Sequence, residues 1–150
     1  MQIDPVAVQI AGKLALAAFL GALIGFERWY RAKPAGIRTH ALVALGSALF
    51  TVLSVTGFGG FADPSRIASQ VVVGVGFIGA GIIFLRGTSV QGLTTAAGVW
   101  VSAAIGMAVG LGFYQVGVYA AALVLSIVFL IGIFEQKIAR KNQPEDDERI

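Results

Sequence analysis

The chain has 150 residues, of which 57% are hydrophobic and 13% charged, with a net charge of +3 and no cysteine. An ordinary soluble domain carries roughly 45 to 50% apolar and about 25% charged residues, so composition excludes that class. The absent cysteine excludes a disulfide framework and a thiolate metal site. The basic residues flank apolar stretches and form no soluble face, which argues against nucleic acid as a partner.

The stretches Leu14 to Phe26, Ala41 to Phe58, Ile67 to Leu85 and Leu93 to Phe134 hold no Asp, Glu, Lys or Arg. A helix needs about 20 apolar residues to cross a hydrocarbon layer of about 30 Å, which leaves room for about five crossings. The expected fold is an all-α membrane protein, a bundle of about five transmembrane helices over residues 1–135, followed by a charged tail at 136–150. The first helix is expected over about Val6 to Phe26, with Pro5 in its first turn, where the missing amide hydrogen matters little. Without a basic start or a small-residue cleavage site, this segment reads as a retained helix and not as a secretory signal. Lys13 within it either snorkels or faces the bundle.

A basic loop, Glu27 to Arg38, follows with Trp29 and Tyr30 as an interfacial aromatic pair. Helix two is expected over Thr39 to Thr56, then a GFGGFADPS turn, helix three over Arg66 to Leu85, helix four over Leu93 to Leu111 and helix five over Gln115 to Phe134. The GFYQ connection between the last two must be very tight. One face collects Arg28, Arg31, Lys33, Arg38, Arg86, Lys137, Arg140 and Lys141; the other holds Arg66 and, at most, Lys13. Under the positive-inside rule the rich face is cytoplasmic, which places the N-terminus outside and the C-terminus inside. The tail KIARKNQPEDDERI turns from basic to acidic and is expected to fray.

Three features break the apolar background. In GFERWYRAKPAGIRTH, a carboxylate at the membrane edge demands a partner, and Glu27 is expected to pair with Arg28 or Arg38. A clamp between two helix ends is the simplest reading; a gate, a lipid-headgroup site or a partner surface is the functional one. His40 lacks companions at metal-ligand spacing and reads as a hydrogen-bonded structural group. In QVVVGVGFIGAGIIFLRG, Gly74, Gly76, Gly79 and Gly81 suggest close helix packing, with a broken helix lining a cation path as the alternative. They do not form a dinucleotide site, which needs a strand–turn–helix context.

The third feature is a polar set within apolar spans: Ser69, Gln70, Gln91, Thr94, Thr95, Trp100 and Ser102. Such groups satisfy one another across helices at roughly 0.6 to 2 kcal/mol each, or line a narrow path. At the opposite end, Asp63 is expected to cap helix three and pair with Arg66, with Gln70 one turn beyond. No acidic pair lies in the membrane for acid–base work, so no enzyme, cofactor or resident metal is expected.

Three segments, GALIGFERWYRAKPAGIRTHALVALGSAL, DPSRIASQVVVGVGFIGAGIIF and VQGLTTAAGVWVSAAIGMAVGLGFY, together resemble the MgtC/SapB family of bacterial inner-membrane proteins over residues 10 to 125. The matching positions are Glu27, Arg28, Pro34, Gly36, Arg38, Thr39 and His40, then Asp63, Arg66, Gln70, Gly74, Gly76, Gly79 and Gly81. Gly92, Leu93, Thr94, Thr95, Ala96 and Trp100 complete the set. The resemblance implies a multi-pass inner-membrane protein linked to magnesium limitation, stress and, in pathogens, survival inside host cells. It further implies a homo-oligomer that regulates other membrane proteins, the ATP synthase among them, with a cation channel or transporter as the alternative. Longer members continue into a soluble cytoplasmic domain where this chain ends in a short tail, so functions of that domain are not expected here.

Overall fold

The computed structural model describes residues 4–57, 63 and 65–141, and for residues 133–141 the backbone alone. Five α-helices run in order: α1 Pro5–Tyr30, α2 Ile37–Thr56, α3 Ser65–Ile82, α4 Leu93–Gly110 and α5 Tyr114–Lys141. Each is long and apolar enough to cross a membrane, so the five-helix membrane bundle is the architecture of this chain. The FGGFA (58–62) and Pro64 part of the expected turn, and the acidic end of the tail, lie outside the described residues.

The centre of the bundle is the α1–α2–α4 triad, and small residues bring it together. On α1, Ala17, Gly21 and Gly25 recur every fourth residue along the buried face. A Cβ at Gly25 would stand 2.6 Å from the Ile37 Cα, and one at Gly21 would strike the His40 carbonyl. On α4, a Cβ at Gly106 would strike the Ala44 carbonyl and one at Gly110 would lie 2.8 Å from the Ala48 oxygen. Without a hydrophobic force between helices in lipid, such close backbone approach supplies the dispersion contacts that hold them.

α5 covers one side of this triad and α3 the other. Ala17, Leu20, Ile24, Ala48, Ile105, Val109 and Ala121 form an apolar, buried cluster across α1, α2, α4 and α5. A smaller cluster joins Val71 and Val75 of α3 to Val99 and Ala103 of α4. The expected packing role of the α3 glycines is therefore largely displaced. A Cβ at Gly74, Gly76 or Gly81 would meet nothing within 4 Å among the described residues, while Gly79 alone faces a neighbour, Ala96, at 3.6 Å. Spacing shows that small residues share a face; it does not show that another helix of the same chain meets it.

Three helix ends, those of α1, α3 and α5, differ from the sequence reading by three residues or more. Helix one continues to Tyr30, because charged and aromatic residues at a membrane edge do not break a helix. It stops in a Schellman motif, in which Lys33 N–H donates to the Arg28 carbonyl at 2.9 Å and Ala32 N–H to that of Trp29 at 3.0 Å, with Ala32 left-handed at φ 52°. Helix three stops at Ile82, and Phe84–Arg86 (β1) pairs antiparallel with Ser89–Gln91 (β2), Leu85 opposite Val90. Gly87, at φ 62°, opens the two-residue turn that such a hairpin favours. Gly92 begins α4 at φ 91°, where a Cβ would strike the Ile82 carbonyl.

The α4–α5 connection is as tight as expected: Phe113 N–H donates to Ala108 O and Gly112 N–H to Val109 O, both at 2.9 Å, in a second Schellman motif. α5 then runs on to Lys141, so the helix extends through the basic part of the expected frayed tail.

Candidate functional site

The C-terminal end of α1 carries the most heavily charged group in the bundle. Because α1 continues past Phe26, Glu27 and Arg31 stand four residues apart on one helix face, and Arg31 Nε lies 2.6 Å from Glu27 Oε1. Arg28 Nη1 lies 3.8 Å from the other oxygen. Neither Glu27 oxygen has a well-aligned hydrogen bond among the described residues, so the pairing is held by charge. Of the two partners expected for Glu27, Arg28 is present and Arg38 is not; Arg38 is exposed, and its α2 start turns it away.

Arg28 is only 4% exposed. Its Nη2 donates to the Thr95 hydroxyl at 2.9 Å, tying α1 to the first turn of α4 across 67 positions of sequence. Its Nε has no hydrogen-bond partner among the described residues. Arg31 leans the other way, its Nη2 3.4 Å from the Phe129 carbonyl and its guanidinium 5.8 Å from that ring, in a seat left open by Gly132.

Beneath this group, His40 is fully buried and its Nδ1 donates to the Gly36 carbonyl at 3.1 Å. Its Nε2 faces Gly98, where a Cβ would come within 3.3 Å, and has no partner among the described residues. Thr39 beside it is half-buried. A cavity of about 730 Å³ opens at this end, lined by Arg28, Arg31, Lys33, Gln91, Thr94 and Thr95 on its polar side.

The other candidates stand apart from this cluster. Asp63 accepts from the Ser65 amide at 2.9 Å and its hydroxyl at 2.7 Å, opening α3. These two bonds, the hydroxyl first, hold its carboxyl below the usual carboxylate range. The expected Asp63–Arg66 ion pair does not form among the described residues, because the short aspartate is already committed to Ser65. Arg66 is exposed, and Gln70 lines an apolar groove between α2 and α3. Trp100 is 48% exposed on the outer side of α4. Lys13 faces the bundle, its Nζ donating to the Gly110 carbonyl at 3.0 Å.

Sequence reasoning noted Arg31 and Lys33 only as members of a basic turn. The i,i+4 spacing of Glu27 and Arg31 would have singled out Arg31 had the helix been carried four residues further. The seat that Gly98 leaves for His40 has no sequence signal.

The sequence model of the MgtC family matches residues 14–137, which covers α2, α4, α1 from Leu14 onward and the charged cluster. The chain belongs to the MgtC family. It is 47% identical to the Escherichia coli K12 protein named "Putative magnesium transporter YhiD", over 87% of this chain and 64% of that protein. It is 46% identical to protein MgtC of Brucella abortus over 81% of this chain and 50% of the relative. Against protein MgtC of Salmonella typhimurium LT2 the figures are 46% identity, 83% and 53%. The chain thus spans between half and two thirds of these relatives. No solved structure matches it significantly. Five membrane-length helices and family membership together make this a multi-pass membrane protein.

Proposed function

We propose that this chain is a non-enzymatic bacterial inner-membrane protein of magnesium-linked homeostasis that acts by binding and regulating other membrane proteins, and that it does not conduct the ion itself. The observation that carries this reading is the placement of charge. Glu27, Arg28 and Arg31 sit at one end of the bundle and Lys13 toward the other, with the apolar Ala17–Leu20–Ile24–Ala48–Ile105–Val109–Ala121 cluster between them. Ion pathways normally leave polar or ionisable groups at mid-membrane; the hydroxyls of Thr51 and Ser102 turn back to carbonyls of their own helices.

The magnesium link is supported by the name YhiD carries, and that name equally supports the second reading, a magnesium transporter. The positive-inside rule supports a cytoplasmic location for the Arg28–Arg31–Lys33 end. The outward α3 surface, with Phe77 84% exposed and Gly74 and Gly81 uncovered, supports self-association through α3. Magnesium-sensitive dye inside proteoliposomes tests the main proposal. It requires the purified chain to give no flux above empty vesicles; flux lost on filling the α3–α4 contact with Gly79→Leu would establish the transporter reading instead.

A further inference from the structure

We propose that the cavity between the α1 end, the hairpin and α5 binds a phosphate group, and that the headgroup of an anionic membrane phospholipid is what occupies it. Three cations, Arg28, Arg31 and Lys33, line this space of about 730 Å³, and Glu27 is the one carboxylate paired with them among the described residues. The cavity is therefore left with uncompensated positive charge in a region where lipid and protein keep the dielectric low. Of the three only Arg28 is buried, and a cluster of excess positive charge at a membrane edge is stabilised by an anion that matches it.

Two further features point the donors at a common anion. The first turn of α4 opens onto the cavity through Gln91, Gly92, Thr94 and Thr95. Gly92 offers no side chain to cap it, and the first amide to find an intrahelical acceptor is that of Ala96, bonded to the Gly92 carbonyl at 2.8 Å. A helix start with free amides and a positive dipole end favours a phosphate or carboxylate. The second feature is Arg28 itself: 4% exposed, lining this cavity, held by Thr95 through Nη2 and left with a buried Nε–H that no described residue accepts. Fixed by Thr95, the Arg28 guanidinium adds a positioned positive charge to the wall that Arg31 and Lys33 also line, and such a charge favours a phosphate oxyanion.

The opposite wall selects the source of that phosphate. Ile127, Val128 and Ile131 of α5 face the basic side, so one ligand would meet charge at its head and hydrocarbon beside it. This is the pattern of a phospholipid at the level where acyl chain gives way to headgroup, and it holds whichever way the chain faces and whether it regulates or transports.

The test uses the full chain, purified in zwitterionic detergent. Native mass spectrometry would follow retention of phosphatidylglycerol against phosphatidylcholine, and thermal unfolding would be recorded with each lipid and with inorganic phosphate alone. The expected result is retention of phosphatidylglycerol over phosphatidylcholine, a higher midpoint with the anionic lipid, and binding about tenfold weaker or more in Arg31→Gln/Lys33→Gln. These two side chains are more accessible than Arg28, so the variant keeps the Arg28–Thr95 bond. Arg66→Gln, at the other end of α3, should bind as the parent does. If inorganic phosphate alone matches the lipid, the phosphate site stands and its lipid source falls. Equal retention of both lipids with no phosphate effect would overturn the proposal, as would unchanged anionic-lipid binding in the double variant.

Discussion

Gly106→Ala adds one methyl group at the tightest crossing in the bundle. That carbon would strike the Ala44 carbonyl oxygen and lie 2.8 Å from its carbon and 2.9 Å from the Ala44 Cα. All three are backbone atoms, so no side chain can rotate away; α2 and α4 must separate, and Gly110 against Ala48 and Thr51 must loosen with them. Overpacking of this kind costs about 1 to 3 kcal/mol, and a backbone obstacle places it toward the upper end. Alanine's better helix propensity returns up to about 1 kcal/mol, leaving a net loss of about 2 kcal/mol. Gly12→Ala is the matched control, since a Cβ there meets nothing within 4 Å among the described residues, and it should be neutral or slightly stabilising. Equilibrium unfolding in mixed detergent, followed by circular dichroism, measures both. A Gly106→Ala protein as stable as the parent would refute the close α2–α4 crossing.

Thr95→Val keeps the shape of the side chain but removes the acceptor for Arg28, and hydrogen bonds to charged groups contribute about 1.5 to 3 kcal/mol. The same unfolding assay should register a loss in that range, and much less in Thr94→Val, whose exposed side chain makes no such bond among the described residues. Ala32 occupies the left-handed position that ends α1, at φ 52°. Ala32→Gly should therefore raise stability by up to about 1 kcal/mol. Asp63 titrates below the ordinary carboxylate value because Ser65 bonds its charged form. Its contribution to the start of α3 is thus complete above about pH 4 and fades as pH falls through the lower folded value. Hydrogen exchange at the Ser65 amide should stay constant from neutral pH to about 4, after correction for intrinsic rate, and rise only below; a rise near neutral pH would contradict the Ser65 bonds.

Much of the fold was legible because a bilayer imposes a coarse rule. Four charge-free stretches, the last long enough for two crossings and the first continued back through Lys13 to Pro5, had to become five helices, and Pro5, Gly112 and the shortness of GFYQ located their ends. The boundaries that failed have physical reasons. Glu27 to Tyr30 carries charge and aromatic rings, which mark a membrane interface without stopping a helix; the chain turns only where Ala32 goes left-handed, ahead of Pro34 and Gly36. The Phe84–Arg86 and Ser89–Gln91 strands are three residues each, too short for alternation to show, although Gly87-Thr88 was the kind of two-residue turn that could have revealed them.

The candidate site was legible in part for the same reason. Charge singled out Glu27, Arg28 and the following basic turn. Hydropathy could not say that Thr95 would meet Arg28, since that contact depends on how α1 and α4 cross. Nor could spacing separate Gly21 and Gly106, which touch neighbouring backbone, from Gly74 and Gly81, which face outward.

The absence of native cysteine makes single introduced thiols the most direct probe of the central claim, that charge is confined to the ends of a bundle with a closed core. Lys33→Cys, Arg66→Cys, Ala48→Cys and Ile105→Cys would be treated in sealed vesicles with a membrane-impermeant maleimide, added from each side in turn. Lys33→Cys should label from one side only, Arg66→Cys from the opposite side only, and the two core positions from neither. Labelling of Ala48→Cys or Ile105→Cys in folded protein would reveal a water-filled path through the bundle and contradict the account.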